Sequence, residues 1–421
     1  MPLCAAGASD TSRFQMSDKP SVSPDSPTAF TDTTFDVIVV GGGIVGCASA
    51  FYLTRRGMQV AVVERAAVGG GTTSNSFAWI NATSKVADEA YHRLNALGQA
   101  TYRELAREYG EARIGLNPSG MLQWVRRSDE AGYQSMSEQA RKLKEFGYAS
   151  TWIGREELTT LEPHVEFDDD VEALYAMGDP CLDAPFFARF LADEVRGGGG
   201  AVFENCAARE LQMTDEGAVT GLVTDQGTVK APRVLVAAGP GTPEVLSELT
   251  GYDGFAARFP MNRVPGLLVT SPSTAPHQLL RHIVYTLSGD AFHMLPAPNG
   301  GIKIGADDTD GLVAEQPPLD SKTVLDAAAV LLERARAMIP AFPGKACLDD
   351  CRIGIGVRPY PQDGKTLAGE LPGAEGLYVI ATHSGVTLSP AVGQLMSELI
   401  AEGRRPEQLE PFGLDRFQAF G

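Results

Sequence analysis

Two unbroken runs of apolar residues near the start of the chain predict strands that are buried on both faces. Residues 35–40 read FDVIVV and residues 59–64 read QVAVVE, and both runs are rich in β-branched side chains, as is typical of parallel strands. Between them, residues 47–57 show the three-and-four apolar spacing of a helix and end in a glycine. The sequence therefore predicts a strand–helix–strand unit of about 30 residues.

The middle of the chain follows a different pattern. Residues 85–110 and 130–146 have helical spacing without strands between them, so we expect them to begin a second structural region. Segments 262–270 and 291–305 alternate between apolar and polar residues, which predicts an antiparallel sheet with one face on a cavity. A further helix is expected over residues 321–338.

Unbroken apolar strands followed by glycines return late in the chain, at residues 232–242 and 377–403. The first region is therefore expected to be discontinuous in sequence, with the second region inserted into it. A length of 421 residues agrees with two domains, because a single compact core rarely grows that large.

Composition and charge narrow the possible functions. Apolar residues make up 43% of the chain and charged residues 21%, which is the balance of an ordinary globular protein. The formal net charge is -18 and no basic stripe occurs, so we expect no nucleic acid or anionic membrane as a partner. No apolar run reaches the roughly 20 residues that a transmembrane helix needs.

The cysteines and the first residues bear on the compartment. Six cysteines are too few for a disulfide framework in a chain of this length. Cys347 and Cys351 form one CxxxC, but histidine is scarce, so no metal site is predicted. Residues 1–34 are rich in Ser, Thr, Asp and Pro without periodicity, which predicts a disordered tail and no secretory signal. A reducing cytoplasm is the expected location.

Three glycines and one carboxylate in the first unit predict a dinucleotide site. Gly41, Gly43 and Gly46 form GxGxxG directly after a strand and at the start of a helix. They allow a tight turn, close approach of the backbone to a pyrophosphate, and close packing of helix on strand. The phosphates are expected at the helix N-terminus, where free N–H groups and the dipole favour anions. Glu64, at the end of the second strand, is placed to accept hydrogen bonds from ribose hydroxyls.

The same motif serves both NAD and FAD, and two features favour FAD. The motif lies at the very start of the sequence that is expected to be ordered. After the strand, residues 64–76 read ERAAVGGGTTSNS, a loop rich in glycine and hydroxyl groups that suits a second phosphate and a flavin. An NAD dehydrogenase normally continues with another regular strand–helix unit at this point.

Several segments, in the same order, resemble the D-amino-acid oxidase superfamily, which includes glycine oxidase and monomeric sarcosine oxidase. The likeness runs from about Phe35 to Glu402 and is carried by GGGIVGCASAFYLTRRG, Glu64, the GTTS loop, VLVAAGPGT and HSGVTLSPAVGQ. It implies an α/β FAD-binding Rossmann-like domain plus an α+β substrate domain with a mainly antiparallel sheet, and the flavin at their junction. The expected boundaries are 35–90, 175–255 and 345–421 for the FAD-binding domain, and 91–174 and 256–344 for the substrate domain.

The resemblance also implies which residues contact the cofactor. Together with the glycine motif, the expected cofactor-binding residues are Gly41, Gly43, Ile44, Val45, Gly46, Glu64, Arg65, Thr72, Thr73, Ser74, Gly239, Gly385, Val386 and Thr387. In the closing segment, Ser389 is a favourable N-cap and Pro390 fits the first helical position, so a helix is expected to begin there. Its positive N-terminus, aimed at the flavin, would stabilise the negative charge that hydride transfer creates.

Four residues are candidates for the chemistry. The segment IGVRPYPQDGKTLAG resembles a glycine oxidase pattern, which implies that Arg358 binds a substrate carboxylate. The segment GGIKIGADD resembles a strand of monomeric sarcosine oxidase, which implies that Lys303 activates oxygen. His383 and His293 are further candidates for the pocket. The cysteine that carries covalent flavin in sarcosine oxidase aligns with Gly356, so we expect FAD to be bound non-covalently.

Alternatives remain open for the two basic residues. Side chains alternate in a strand, so Lys303 faces away from its neighbouring isoleucines, toward either the cavity or solvent. Arg358 has an alternative role as a structural residue that pairs with a nearby carboxylate such as Asp363. The chain also departs from both relatives, because His383 lies near the position of a second glycine oxidase arginine and Thr387 aligns with a sarcosine oxidase lysine.

These residues predict FAD-dependent oxidation of a small amine or amino acid, of the glycine, sarcosine, D-amino-acid or N-alkyl amino-acid type. Hydride transfer to flavin would give an imine, and hydrolysis would then give a keto acid or aldehyde. Oxygen is the expected electron acceptor. Three alternative interpretations are a D-amino-acid dehydrogenase with another acceptor, a flavin subunit of a hetero-oligomeric complex, and an NAD(P)H-dependent FAD monooxygenase.

Overall fold

The computed structural model describes residues 34–251, 255–287 and 291–417. The tail expected over residues 1–34 lies outside these ranges except for Thr34, which forms a parallel bridge with Lys230. The helices are α1 (Ile44–Arg55), α2 (Glu89–Tyr109), α3 (Glu111–Ile114), α4 (Glu130–Glu145), α5 (Arg155–Leu161), α6 (Ala184–Gly197), α7 (Thr242–Thr250), α8 (Phe255–Arg258), α9 (Asp307–Asp310), α10 (Lys322–Met338) and α11 (Gly385–Glu402). The strands are β1 (Val37–Val40), β2 (Val60–Val63), β3 (Leu116–Asn117), β4 (Met121–Arg126), β5 (Thr151–Gly154), β6 (Val171–Ala176), β7 (Cys181–Leu182), β8 (Ala201–Phe203), β9 (Ala208–Met213), β10 (Val219–Thr224), β11 (Gly227–Lys230), β12 (Val234–Val236), β13 (Met261–Thr270), β14 (Ile283–Thr286), β15 (His293–Pro296), β16 (Ile302–Gly305), β17 (Arg352–Pro361), β18 (Leu367–Glu370) and β19 (Leu377–Ala381).

A six-stranded sheet has the order β18-β19-β12-β1-β2-β8. The pairs from β19 to β8 are parallel, and β18 is antiparallel to β19. The predicted strand–helix–strand unit is confirmed, because β1 and β2 pair directly from Val37 with Val60 to Val40 with Val63, and α1 connects them. All residues of both strands are buried, which explains why their sequences are apolar without alternation.

One face of this sheet carries the helices α1, α2, α6 and α11 in a single apolar core. The helix α11 lies against α1, because a Cβ atom at Gly393 would come within 2.8 Å of the Ala48 carbonyl carbon. The buried side chains of Leu94 and Tyr102 place α2 in the same core. The apolar stripe of α2 therefore packs on the helices of the parallel sheet, whereas the expected boundary assigned residues from 91 onward to the substrate domain.

The helix α2 begins later than its apolar spacing suggests. Asp88 precedes its first residue, and the Asp88 side chain accepts a hydrogen bond from the Tyr91 backbone N–H at 2.9 Å. An aspartate in this position satisfies an N–H group that has no partner within the helix. As a result, Lys85 lies in the connection that precedes the helix.

The helix α11 begins at Gly385, and the expectation that Ser389 caps it is wrong. Pro390 lies inside the helix, where it has no N–H group to donate to the Val386 carbonyl. The Tyr102 hydroxyl donates to that oxygen at 2.7 Å, and Ser389 Oγ donates to it at 3.3 Å. These two bonds replace the missing backbone bond, so the helix extends past the proline toward its N-terminus.

An eight-stranded sheet has the order β17-β13-β16-β15-β14-β4-β6-β5. Its adjacent pairs are antiparallel except for the parallel pair of β14 and β4, so both large sheets are mixed. The alternating segments around 262–270 and 291–305 form the antiparallel strands β13, β15 and β16, as predicted. The strand β17 also belongs here, because it pairs with β13 along its whole length, whereas we expected residues 345–421 to lie with the FAD-binding domain.

The described part of the chain contains neither a membrane-spanning helix nor a metal-binding cluster. None of its helices is long and apolar enough to span a bilayer. The same residues include no group of three or more His, Cys, Asp and Glu side chains arranged to hold a metal ion. The described cysteines are free thiols, and the sulfur atoms of Cys347 and Cys351 lie 3.6 Å apart.

Candidate active site

A cavity of about 920 Å³ lies where the two large sheets meet. Gly41 and Glu64 contribute to its wall from the parallel sheet, and Gly266 and Arg358 contribute from the eight-stranded sheet. A volume of this size is typical of clefts that enclose cofactors and small ligands. The expected cofactor-binding residues that line it are Gly41, Gly43, Ile44, Val45, Glu64, Arg65, Thr72, Thr73, Gly239, Gly385, Val386 and Thr387.

The turn between β1 and α1 requires glycine at two positions. Gly41 has a φ of 113°, and a Cβ atom there would lie 2.5 Å from the Ala237 carbonyl oxygen. Gly46 does not line the cavity, but a Cβ atom there would lie 1.9 Å from the Gly41 carbonyl oxygen. Both glycines therefore act through shape, by allowing the strand, the turn and the helix to approach one another.

The N-terminus of α1 forms part of the cavity wall, and no side chain caps it at Gly43. The Ile44 N–H group donates to Thr73 Oγ1 at 3.1 Å, which fixes the loop beside the helix. First-turn N–H groups and the helix dipole favour an anion at this place. The turn therefore fits the pyrophosphate of a dinucleotide.

Glu64 is held in the wall by two backbone groups. Its Oε2 atom accepts the Gly42 N–H group at 2.7 Å, and its Oε1 atom accepts the Ala66 N–H group at 2.8 Å. Each carboxylate oxygen can accept a further hydrogen bond. Glu64 is thus oriented for the ribose hydroxyls that the sequence pattern predicts, and Arg65 lines the cavity beside it.

The hydroxyl-rich loop after Glu64 is fixed mainly by its own side chains. Ser74 Oγ donates to the Gly70 and Gly71 carbonyl groups at 3.0 and 2.9 Å, and Ser74 does not line the cavity. Thr72 Oγ1 donates to the Val357 carbonyl oxygen at 2.8 Å. The Thr72 hydroxyl therefore joins the loop to strand β17, beside Arg358.

The first turn of α11 enters the wall because the helix starts at Gly385. Thr387 Oγ1 accepts the Asn81 N–H group at 2.9 Å and donates to the Trp79 carbonyl oxygen at 3.4 Å. The Thr387 hydroxyl thus secures the connection before α2. The uncapped backbone of this first turn places a second positive helix end at the cavity.

No thiol in the described part of the chain lines the cavity. At Gly356, a Cβ atom would lie 2.2 Å from the Asn75 carbonyl oxygen, so a cysteine does not fit there unless the loop moves. The wall of the cavity therefore offers no described cysteine for covalent attachment of a flavin.

Arg358 lines the cavity, and its guanidinium group is already paired. Its Nη2 atom donates to Asp310 Oδ2 at 2.8 Å and to the Pro265 carbonyl oxygen at 3.1 Å. Asp363, the carboxylate that proximity in sequence suggested, binds Arg416 instead at 2.7 Å. Burial raises the pKa of Asp310 to about 6, against the lowering effect of Arg358. At neutral pH the pair is therefore still mainly ionised.

Both candidate histidines line the cavity, and both are neutral at pH 7. His293 donates from Nδ1 to the Ala291 carbonyl oxygen at 2.8 Å, which leaves Nε2 as an acceptor, and burial lowers its pKa. Burial, followed by the charges of Lys85 and Arg358, lowers the pKa of His383 to about 3. Neither ring supplies a positive charge for an anionic ligand.

Lys303 and the rest of its strand β16 do not line the cavity. Ile302 and Ile304 pack in the apolar core of the eight-stranded sheet, and Lys303 points to the opposite side, as strand alternation predicts. Its Nζ atom donates to the Ser76 carbonyl oxygen at 3.0 Å, and Ser76 itself lines the cavity. Burial lowers the pKa of Lys303 to about 8. The ammonium group therefore lies just behind the wall.

Sequence reasoning missed Lys85, which also lines the cavity. Burial, and then the positive charge of Arg358, lower the pKa of Lys85 to about 8. The apolar spacing placed this residue at the start of a helix, where a lysine is usually solvated. Asp88 was the available signal, because a capping aspartate marks the residues before it as a connection.

Comparison with known proteins agrees with this geometry. The model of the DAO family, described as FAD dependent oxidoreductase, matches residues 36–399. Glycine oxidase from Geobacillus kaustophilus is 26% identical over 389 residues, which cover 91% of this chain and 97% of that protein. The crystal structure of glycine oxidase from this organism has a TM-score of 0.75 at 26% identity, covering 91% of this chain and 99% of the other. L-amino acid deaminase from Proteus myxofaciens has a TM-score of 0.76 at 18% identity, and the match covers 96% of this chain and 98% of that protein's chain. At this level of identity the likeness shows a shared fold and nothing about activity.

The family match spans nearly all of the two sheets and includes every wall residue discussed above. The glycine turn, the uncapped end of α1 and the oriented Glu64 fit the cofactor that this family uses. The predictions of an FAD cofactor and of an oxidoreductase are thereby confirmed. The chain belongs to the DAO family of FAD-dependent oxidoreductases.

Proposed function

We propose that this protein oxidises a small amino acid at the carbon that bears its nitrogen, with non-covalently bound FAD and with oxygen as the acceptor. The observation that carries the proposal is the position of Arg358, which lies in the wall of the same cavity as the dinucleotide site. The relative named above is a glycine oxidase, so its name points to amino acids as the substrate class.

The guanidinium group of Arg358 gives a planar fork that matches a carboxylate. Pairing would fix the substrate in one orientation, and orientation is a large part of catalysis in an enclosed site. When bound, FAD would supply the chemistry by accepting a hydride from the substrate, which leaves an imine for hydrolysis. The first turn of α11 and the neutral rings of His293 and His383 complete the wall around the reacting groups.

The test is anaerobic reduction of the flavin by a panel of glycine derivatives, D-amino acids, L-amino acids and N-alkyl amino acids. At least one amino acid should bleach the flavin, and simple amines of the same size should not. Bleaching by amines alone would contradict the amino-acid assignment. Acid precipitation should release the yellow colour into the supernatant, and a yellow pellet would contradict non-covalent binding.

A dehydrogenase with a different acceptor is the second candidate, because one specific contact favours it. The Lys303 ammonium, which the resemblance implicates in oxygen activation, is bonded to the Ser76 carbonyl oxygen and does not line the cavity. Oxygen uptake by the substrate-reduced protein separates the two candidates. Rapid uptake supports the oxidase, and slow uptake with fast reduction of an artificial acceptor supports the dehydrogenase.

A further inference from the structure

Lys85 is a cation of the cavity wall for which the described residues provide no ion pair; Arg65 likewise has none, but its side chain is exposed beside the dinucleotide site. In the described part of the chain, no acceptor lies within bonding distance of the Lys85 ammonium group. Arg263, another cation of the wall, is paired with Glu244 at 3.0 Å and with Glu315 at 2.7 Å. An enclosed ammonium group without a partner is costly, so an anion that reaches it would be bound favourably.

The groups around Lys85 leave this end of the cavity positive. Arg358 acts on Lys85 electrostatically, and His383 is uncharged because burial, Lys85 and Arg358 lower its pKa. Asp310 offsets the charge of Arg358, to which it is bound. Asp88, in the same connection as Lys85, is already occupied by an ion pair with Lys365. Lys85 therefore supplies a charge that no neighbouring group cancels.

One nitrogen of the Arg358 guanidinium group makes no hydrogen bond with the described residues. Its Nη2 and Nε atoms donate to Asp310 and to the Val264 and Pro265 carbonyl groups. In the described structure its Nη1 atom makes no hydrogen bond, and Arg358 lines the same cavity as Lys85. Two cations in the wall of one cavity, each with a free donor, suit the two oxygens of one carboxylate.

We infer that Lys85 is the second arm of the substrate-carboxylate site, so that one carboxylate lies between Lys85 Nζ and Arg358 Nη1. The inference rests on the proposed amino-acid substrate and names the residue that completes its anchor. One carboxylate balances the excess positive charge of this group of side chains, so the site favours monocarboxylate amino acids over amines. Lys85 acts here as a specificity-determining residue, and the reaction itself needs no proton from it.

Lys85 makes the affinity of the site for a carboxylate depend on pH, which Arg358 alone would not do. A carboxylate binds the protonated ammonium group, so the affinity is present below the pKa of about 8 and is lost as the pH rises through it. A guanidinium group stays protonated over the same range. The two arms can therefore be told apart by titration.

The experiment measures binding of acetate to the FAD-loaded protein by calorimetry, with acetamide as the neutral probe of the same shape. Lys85→Met should weaken acetate binding by about tenfold or more and leave acetamide binding and FAD content unchanged. Lys85→Arg should keep most of the affinity for acetate and abolish its loss between pH 7 and pH 9. Lys144→Met, an exposed lysine on α4, is the matched control and should change nothing.

Unchanged acetate binding in Lys85→Met would overturn the inference, as would a wild-type affinity that is flat between pH 7 and pH 9. If Lys85→Met does not fold, Lys85→Arg decides the matter, because a retained wild-type pH profile in that variant contradicts the assignment. Failure of the proposed function is a separate outcome. In that case no amino acid bleaches the flavin, whereas acetate binding still reports on Lys85.

Discussion

The two halves of the cavity are built in different ways. In the dinucleotide half the backbone sets the shape, and Gly41 and Gly46 leave no room for a side chain. In the other half, charged side chains from separate segments line the wall, among them Lys85 and the paired Asp310 and Arg358. The first half should therefore be sensitive to volume and the second to charge, and this difference can be tested.

Gly46→Ala should have the largest effect, because the new Cβ atom would lie 1.9 Å from the Gly41 carbonyl oxygen. The turn has to open, and we expect almost no FAD per polypeptide together with a lower melting temperature. Flavin absorbance of the purified protein and thermal unfolding measure both effects. Gly197→Ala, at a helical glycine with nothing within 4 Å of its Cβ position, is the control and should retain FAD. Full FAD content in Gly46→Ala would contradict a site made by backbone shape.

Arg358→Ala should have the second-largest effect. It should weaken the binding of carboxylate ligands and leave the FAD content unchanged. Loss of a buried charge-assisted pair typically costs about 2–5 kcal/mol, so carboxylate affinity should fall by about 30-fold or more. Arg358→Lys should recover only part of it, because an ammonium group lacks the fork. Acetate binding and kcat/KM measure the loss, with FAD content as the control. Full activity on every amino acid that reduces the wild-type flavin would show that the assignment is wrong.

Lys303→Met tests a charge that lies just behind the wall. Its ammonium group would favour the negative charge that forms on oxygen, so reoxidation should slow by about tenfold while reduction by substrate changes little. Stopped-flow measurements of the two half-reactions separate these effects. Equal slowing of both half-reactions would instead indicate a structural role through the Ser76 carbonyl group.

Asp310→Asn should have the smallest effect, and its sign depends on pH. The Asp310 carboxylate, with a pKa of about 6, competes with a bound carboxylate for Arg358. As the pH falls from 7 to 5.5 the proton neutralises this competitor, so the affinity for ionised acetate should rise by about threefold. Asp310→Asn should bind acetate more tightly at pH 7 and show no such rise. A wild-type affinity that falls toward pH 5.5 would contradict the competition.

Local signals explain most of what the sequence predicts correctly. The pair β1 and β2, the helix α1 and the close approach of Gly46 to the Gly41 carbonyl group arise from residues that are close in the chain. Their patterns therefore contain the information needed to place them. The same holds for Glu64, whose two partners are the nearby Gly42 and Ala66 backbone groups.

Long-range contacts explain the rest. The start of α11 depends on the Tyr102 hydroxyl, which a helix elsewhere in the chain supplies to the Val386 carbonyl group. Arg358 on β17 pairs with Asp310 at the end of α9, while Asp363, which is closer in sequence, is bound by Arg416. No pattern in one sequence shows which of several carboxylates a folded strand will bring to an arginine.

The hydrogen bond from Thr72 to the Val357 carbonyl group joins the two halves. It ties the loop beside the dinucleotide site to the strand that carries the neighbouring Arg358. Thermodynamic linkage then makes the coupling mutual. If bound cofactor raises the affinity for a carboxylate, bound carboxylate raises the affinity for the cofactor by the same factor. A flavoenzyme joined in this way would lose its flavin fastest when its substrate is scarce, so the supply of substrate would help to set how much active enzyme persists.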